Sequence, residues 1–100
     1  MKFKEGVDLV GVQDVIVQTW PTIDKVHRKL TGREATITSV MDDAHKEDSL
    51  HYQGLAEDIR IWDVLEAFKK RLEEALGLEF EVILEKDHIH IEYDPHRGNR

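Results

Sequence analysis

The chain has 100 residues, 40% of them hydrophobic and 35% charged, and a formal net charge of −7 at pH 7. This is the length of one domain and the composition of a folded globular protein, which excludes a disordered chain. The acidic balance argues against DNA or RNA as a partner, because phosphate backbones are bound by clustered Lys and Arg. The chain has no cysteine, so a bound metal would need histidine and carboxylate ligands.

No stretch of the sequence predicts a membrane span, which requires ~18 consecutive apolar residues or more. The N-terminal lysines are not followed by an uninterrupted apolar run, because Asp8, Gln13 and Asp14 break it. A secretory signal is therefore not expected. We expect the chain to be cytoplasmic as synthesised.

The first third of the chain is predicted to be helical. From Val10 to Leu30 the apolar residues recur at intervals of three and four. Pro21 should divide this stretch, with a second helix beginning near it, since Pro is tolerated in a first turn but not in a helix interior. Gly32 should end that helix. Within it, His27 lies among charged residues and is expected to face solvent.

The middle of the chain predicts two strands around a polar loop. Residues 35–40 are rich in β-branched side chains, which favour a strand, and residues 41–53 are polar. Apolar and charged residues then alternate over 56–62, so that segment is also predicted to be a strand, with Asp58 and Arg60 on the same face.

The last third predicts a helix followed by a hairpin. Asp63 should cap an amphipathic helix that Gly77 ends. Residues 79–84 and 88–93 should be antiparallel strands joined by residues 85–87. The elements together predict one α+β domain, a small antiparallel sheet with helices on one side, followed by a mobile tail from residue 94 to residue 100.

Two polar strings suggest a metal site. They are Ser-Leu-His-Tyr-Gln-Gly-Leu-Ala-Glu-Asp at 49–58 and Asp-His-Ile-His at 87–90. A catalytic zinc ion takes three protein ligands and leaves one position open to water. His51, Asp58 and His90 could supply those ligands. If Asp58 and His90 share one ion, their strands must be neighbours, with the metal on the open face of the sheet.

Each of these residues also has a plain structural interpretation. Asp87, three residues before His90, is placed to take a proton from a metal-bound water, but Asp is also common in turns. His88 and His90 alternate with isoleucines and could form the solvent face of an edge strand. Asp58 is harder to explain without a partner, because burying an unpaired carboxylate is costly.

The S-x-H-x-x-G-x-A-x-D string, followed by acid-x-x-H, resembles the zinc D-Ala-D-Ala carboxypeptidase family. That family includes phage endolysin L-Ala-D-Glu peptidases and shares a metal-site fold with the hedgehog signalling domain. The resemblance covers roughly residues 35–93. It implies a single metallopeptidase-like domain with a Zn²⁺ cofactor, held by His51, Asp58 and His90, and Asp87 as the general base.

The resemblance also implies a substrate. It would be a peptidoglycan stem peptide containing D-amino acids, cut by a phage or bacterial enzyme acting as D,D-carboxypeptidase or L,D-endopeptidase once released to the cell wall. His88, beside the metal, would stabilise the oxyanion or orient the substrate. From its place in the first motif, Ser49 is assigned to substrate binding and is expected to orient the motif loop.

One feature of the family is missing. Relatives often carry an Arg that holds the substrate, and Asp42 stands where it would fall. Arg60 is predicted to bind substrate in its place, with Arg33 or Lys86 as alternatives. Two other interpretations stay open: a non-catalytic zinc-binding module that binds a partner protein or wall peptide, and a phage structural protein that reuses the fold.

Overall fold

The computed structural model describes residues 1–41, 53–61 and 65–95. Five strands form one mixed sheet in the order β1-β2-β3-β5-β4: β1 (Lys2–Phe3), β2 (Thr36–Ser39), β3 (Ala56–Arg60), β4 (Phe80–Leu84) and β5 (His88–Tyr93). A one-turn helix α1 (Asp14–Val17) precedes two longer helices, α2 (Trp20–Thr31) and α3 (Leu65–Leu76). The α+β prediction is confirmed. None of the described helices is long and apolar enough to cross a membrane.

The sheet is mixed rather than wholly antiparallel because of β1. This strand was not predicted, and it pairs with β2 in parallel, whereas the other neighbouring pairs are antiparallel. Lys2 N donates to Ala35 O and Lys4 N donates to Ile37 O, both at 2.8 Å. Two residues are too few to show the alternation that identifies a strand in a sequence.

The helix ends follow the sequence signals. Pro21 lies in the first turn of α2, and Gly32 ends that helix in the left-handed conformation, with φ 74°. The first helical piece is shorter than the pattern from Val10 suggested, since α1 begins only at Asp14. The predicted cap of α3, Asp63, lies outside the described residues.

The hydrophobic core lies between the two longer helices and one face of the sheet. Because successive strand residues point to opposite faces, each strand contributes alternate residues to this core. The cluster of buried side chains from both helices and four strands includes Ile23, Phe68, Leu72, Ile37, Ile59, Val82, Ile89 and Ile91. The strand residues between them point to the second face of the sheet, where the candidate site lies.

The expectation that His27 faces solvent is wrong. Its side chain is buried, 1% exposed, and its ring contacts the ring of Phe68 edge-on, with centroids 5.1 Å apart. The carbonyl oxygen of Arg33 accepts a hydrogen bond of 2.7 Å from His27 Nδ1. The turn after α2 thus supplies a polar partner inside the core, which lets a histidine be buried there.

Candidate metal-binding site

The pairing of β3 with β5 brings the two sequence motifs together. These strands are antiparallel neighbours, and Asp58 lies directly opposite His90. On either side of this pair, Arg60 lies opposite His88, and Ala56 opposite Glu92. The predicted adjacency of these strands is therefore confirmed, and residues 28 to 36 positions apart in the sequence share one face of the sheet.

Asp58 is the centre of a polar cluster on this face. Its Oδ1 accepts a hydrogen bond of 3.0 Å from His90 Nδ1 and lies 3.7 Å from His88 Nε2. The Asp58 residue is only 7% exposed. A buried carboxylate is stabilised by such neighbours, since burial without partners would carry a large desolvation penalty.

The two carboxylates flanking His90 affect its protonation. Burial of the ring lowers its pKa, but the hydrogen bonds and negative charges of Asp58 and Glu92 outweigh burial and raise the pKa of His90 above its usual value. Glu92 Oε1 lies 3.0 Å from His90 Nε2. Protons and a metal ion therefore compete for the ring nitrogens of His90, because a nitrogen that carries a proton cannot bind a metal.

Asp87 and His88 form a second hydrogen-bonded pair at the edge of the cluster. Asp87 Oδ1 accepts a bond of 2.6 Å from His88 Nδ1, and this bond holds the pKa of Asp87 below its usual value. The ring of His88 thus presents one nitrogen to Asp87 and the other to Asp58. The Asp87 side chain is 85% exposed, so its carboxylate is accessible to solvent while it is bonded to His88.

The segment leading into β3 is fixed by close backbone contacts. Gly54 has φ 71°, and a Cβ at this position would overlap the carbonyl oxygen of Gly11. Gln13 donates its backbone N–H to Gly54 O at 3.0 Å and its side-chain amide to Gln53 O at 2.7 Å. On the other side, Tyr93 N donates to Leu55 O. The glycine of the first motif is therefore required for backbone packing.

The other predicted site residues are only partly accounted for. Ser49 and His51 lie outside the described residues, so their expected roles stay predictions. Arg60 is half-buried on β3, opposite His88. Of the alternative cations, Lys86 lies in the exposed turn between β4 and β5, and Arg33 lies in the turn after α2 and not on this strand pair.

Sequence reasoning missed the buried acid Glu57. It points to the helix side of β3, is 0% exposed, and accepts hydrogen bonds from Thr19 Oγ1 at 2.6 Å and Trp20 Nε1 at 2.8 Å. Burial raises the pKa of Glu57 to about 7. The signal was present in the alternation itself, because one of two adjacent acids on a buried strand must face the core.

Asp58 and His90 fit a zinc ion in chemistry and spacing. Two ligand atoms bound at 2.0–2.1 Å in a tetrahedral site lie about 3.3 Å apart, close to the 3.0 Å between Asp58 Oδ1 and His90 Nδ1. Among residues 1–41, 53–61 and 65–95, no three His, Asp or Glu side chains already form a complete ligand group. The third ligand implied by the resemblance, His51, is outside those ranges.

Comparisons with known proteins add no identification. No protein-family model matches the chain, and no curated protein matches its sequence.

Proposed function

We propose that this chain is a zinc-dependent peptidase that cleaves peptidoglycan stem peptides. The observation that supports it most is the cross-strand pair of Asp58 and His90, two residues of separate motifs with ligand atoms 3.0 Å apart. His88 and Asp87 extend the cluster along β5 and the turn before it. The identity of the substrate comes from the resemblance of both motifs to the D-Ala-D-Ala carboxypeptidase family.

In this proposal Asp58 and His90 hold the ion together with His51. Zinc, when bound, supplies an acidified water and polarises the scissile carbonyl. Asp87 would act as the general base, taking a proton from the attacking water and giving it to the leaving amine. Because the carboxylate of Asp87 accepts a hydrogen bond from His88, that bond would have to break before Asp87 could act as the base.

Substrate contacts are assigned to the neighbouring strand positions. His88 donates to the developing oxyanion or orients the peptide. Arg60, opposite His88 on β3, provides the positive charge for substrate binding. It takes the place of the family's Arg, whose position Asp42 occupies in this chain. Ser49 orients the motif loop at the same site.

The experiment is an assay of zinc-loaded protein on a muropeptide ending in D-Ala-D-Ala and on intact stem peptides, analysed by mass spectrometry. Released D-alanine indicates a carboxypeptidase, and an internal cut between L-Ala and D-Glu indicates an endopeptidase. Asp87→Ala should abolish hydrolysis while zinc stays bound. Unchanged activity in Asp87→Ala would contradict the assigned base.

A second candidate is a zinc-binding module of the same fold that binds a partner protein or a wall peptide without cleaving it. Asp42 in place of the expected cation and the bond between Asp87 and His88 favour it. This module would bind zinc as tightly as the enzyme and would release no product from either substrate. The assay above therefore separates the two.

A further inference from the structure

The ring of His90 is enclosed between two carboxylates. Asp58 Oδ1 lies 3.0 Å from Nδ1, and Glu92 Oε1 lies 3.0 Å from Nε2. The side chains of His90 and Glu92 are 16% and 22% exposed, so their contact is largely shielded from solvent. Each ring nitrogen of His90 thus faces a different acid.

A metal-binding histidine uses one ring nitrogen for the ion and donates the N–H of the other to a carboxylate or carbonyl, which fixes the orientation of the ring. We assign the ion to the Asp58 side of the ring, because Asp58 is the other proposed ligand there. A second imidazole also lies on that side, with His88 Nε2 3.7 Å from Asp58 Oδ1. On the opposite side, the cross-strand partners of Glu92 are Ala56 on β3 and Glu81 on β4, neither of which carries an imidazole.

We propose that Glu92 is a positioning residue of the metal site. It accepts the N–H of His90 Nε2 and thereby directs Nδ1 to the ion shared with Asp58. Glu92 follows His90 by two residues on β5, so it lies on the same face of the sheet. This inference rests on the proposed metal site, and it gives a role to a residue that belongs to neither motif.

The test is the zinc affinity of the full chain, measured by competition with a chelator. Glu92→Ala should weaken zinc binding by about 10- to 100-fold, the usual effect of removing a carboxylate behind a histidine ligand. Glu92→Gln should lose less zinc affinity than Glu92→Ala, since the amide oxygen of Gln can still accept a hydrogen bond from His90 Nε2. Glu81→Gln is the matched control, because Glu81 lies opposite Glu92 but one strand further from Asp58, and it should bind zinc like the wild type.

A purely structural role of Glu92 would lower stability without changing which nitrogen binds the ion. Long-range ¹H–¹⁵N spectra of zinc-loaded wild type should show a zinc-shifted Nδ1 and a protonated Nε2 on His90. Zinc on Nε2 would overturn the proposal, as would wild-type affinity in Glu92→Ala. If the wild type binds no zinc, the proposed function fails as well; if it binds zinc and Glu92→Ala binds it equally, this inference alone fails.

Discussion

Glu57 and Asp58 are adjacent carboxylates that point to opposite faces of β3, and their surroundings are opposite in kind. Glu57 faces the helices, where burial raises its pKa to about 7 and the neutral donors Thr19 and Trp20 hold it. Asp58 faces the imidazole of His90. The difference shows that an acid on a buried strand becomes a structural group among neutral donors and a candidate metal ligand among histidines.

The comparison predicts that the two faces of β3 can be altered separately. On the helix side, Ile59→Ala should have the largest effect, lowering the free energy of unfolding by about 2–5 kcal/mol because it leaves a cavity in the core. Denaturant titration measures this loss. The folded variant should keep its zinc affinity, and a large loss of affinity would show that the two faces are coupled.

On the other face, Asp58→Asn should weaken zinc binding by about 100-fold or more. Loss of a metal ligand should reduce zinc affinity more than loss of a residue that only hydrogen-bonds to a ligand. That is about 3 kcal/mol of binding free energy. Chelator competition measures it. Glu57→Gln is the matched control one residue away. Equal losses of zinc affinity in both variants would contradict the different roles assigned to Glu57 and Asp58.

Glu57 should make stability depend on pH. Its pKa is about 7 in the folded state against 4.5 ordinarily, so between these values the folded protein binds more protons than the unfolded chain. The free energy of unfolding should therefore fall by up to about 3 kcal/mol from pH 4.5 to pH 8. His90, whose pKa is also raised, contributes in the same direction.

Glu57→Gln should remove the Glu57 share of this dependence. A Gln amide can donate to Thr19 Oγ1, whose own proton can go to Ile16 O at 2.7 Å, while Trp20 Nε1 still donates to the amide oxygen. Urea titrations of both proteins at several pH values measure how much of the pH dependence is lost with Glu57. Parallel curves would contradict a raised pKa at Glu57.

The smallest expected effect is that of Arg60→Ala. If Arg60 replaces the family's substrate cation, the KM for a stem peptide should rise by about tenfold, roughly 1.4 kcal/mol, with zinc affinity unchanged. Steady-state kinetics on zinc-loaded protein measures it. Lys86→Ala, in the exposed turn of the hairpin, is the control. A larger increase in KM in Lys86→Ala than in Arg60→Ala would indicate that Lys86 binds the substrate instead.

Two kinds of feature could be predicted from the sequence: strands whose residues alternate between apolar and charged, and the adjacency of the two strands that carry the motifs. Requiring Asp58 and His90 to share an ion made their strands neighbours, and the structure has them directly opposite each other. Gly32 was recognisable as a helix end, because the helix stops there in a backbone conformation that other residues rarely adopt. Strand alternation and helix ends follow from local backbone geometry, and the strand pairing followed from the requirement that the two motifs share one site.

The remaining features depend on contacts that arise only in the folded chain. Strand β1 is too short to carry a pattern, and the burial of His27 depends on the carbonyl of Arg33 in the following turn. Glu57 is held by donors nearly forty residues away. No local pattern in the sequence identifies such partners.

The most direct test of the metal site is the zinc content of the chain, purified without an affinity tag and loaded with zinc, for the wild type, His51→Ala and His90→Ala. Elemental analysis should find about one zinc ion per wild-type chain and a clear loss in both variants. A wild-type chain that binds no zinc after loading, or a His90→Ala variant that binds it fully, would contradict the account.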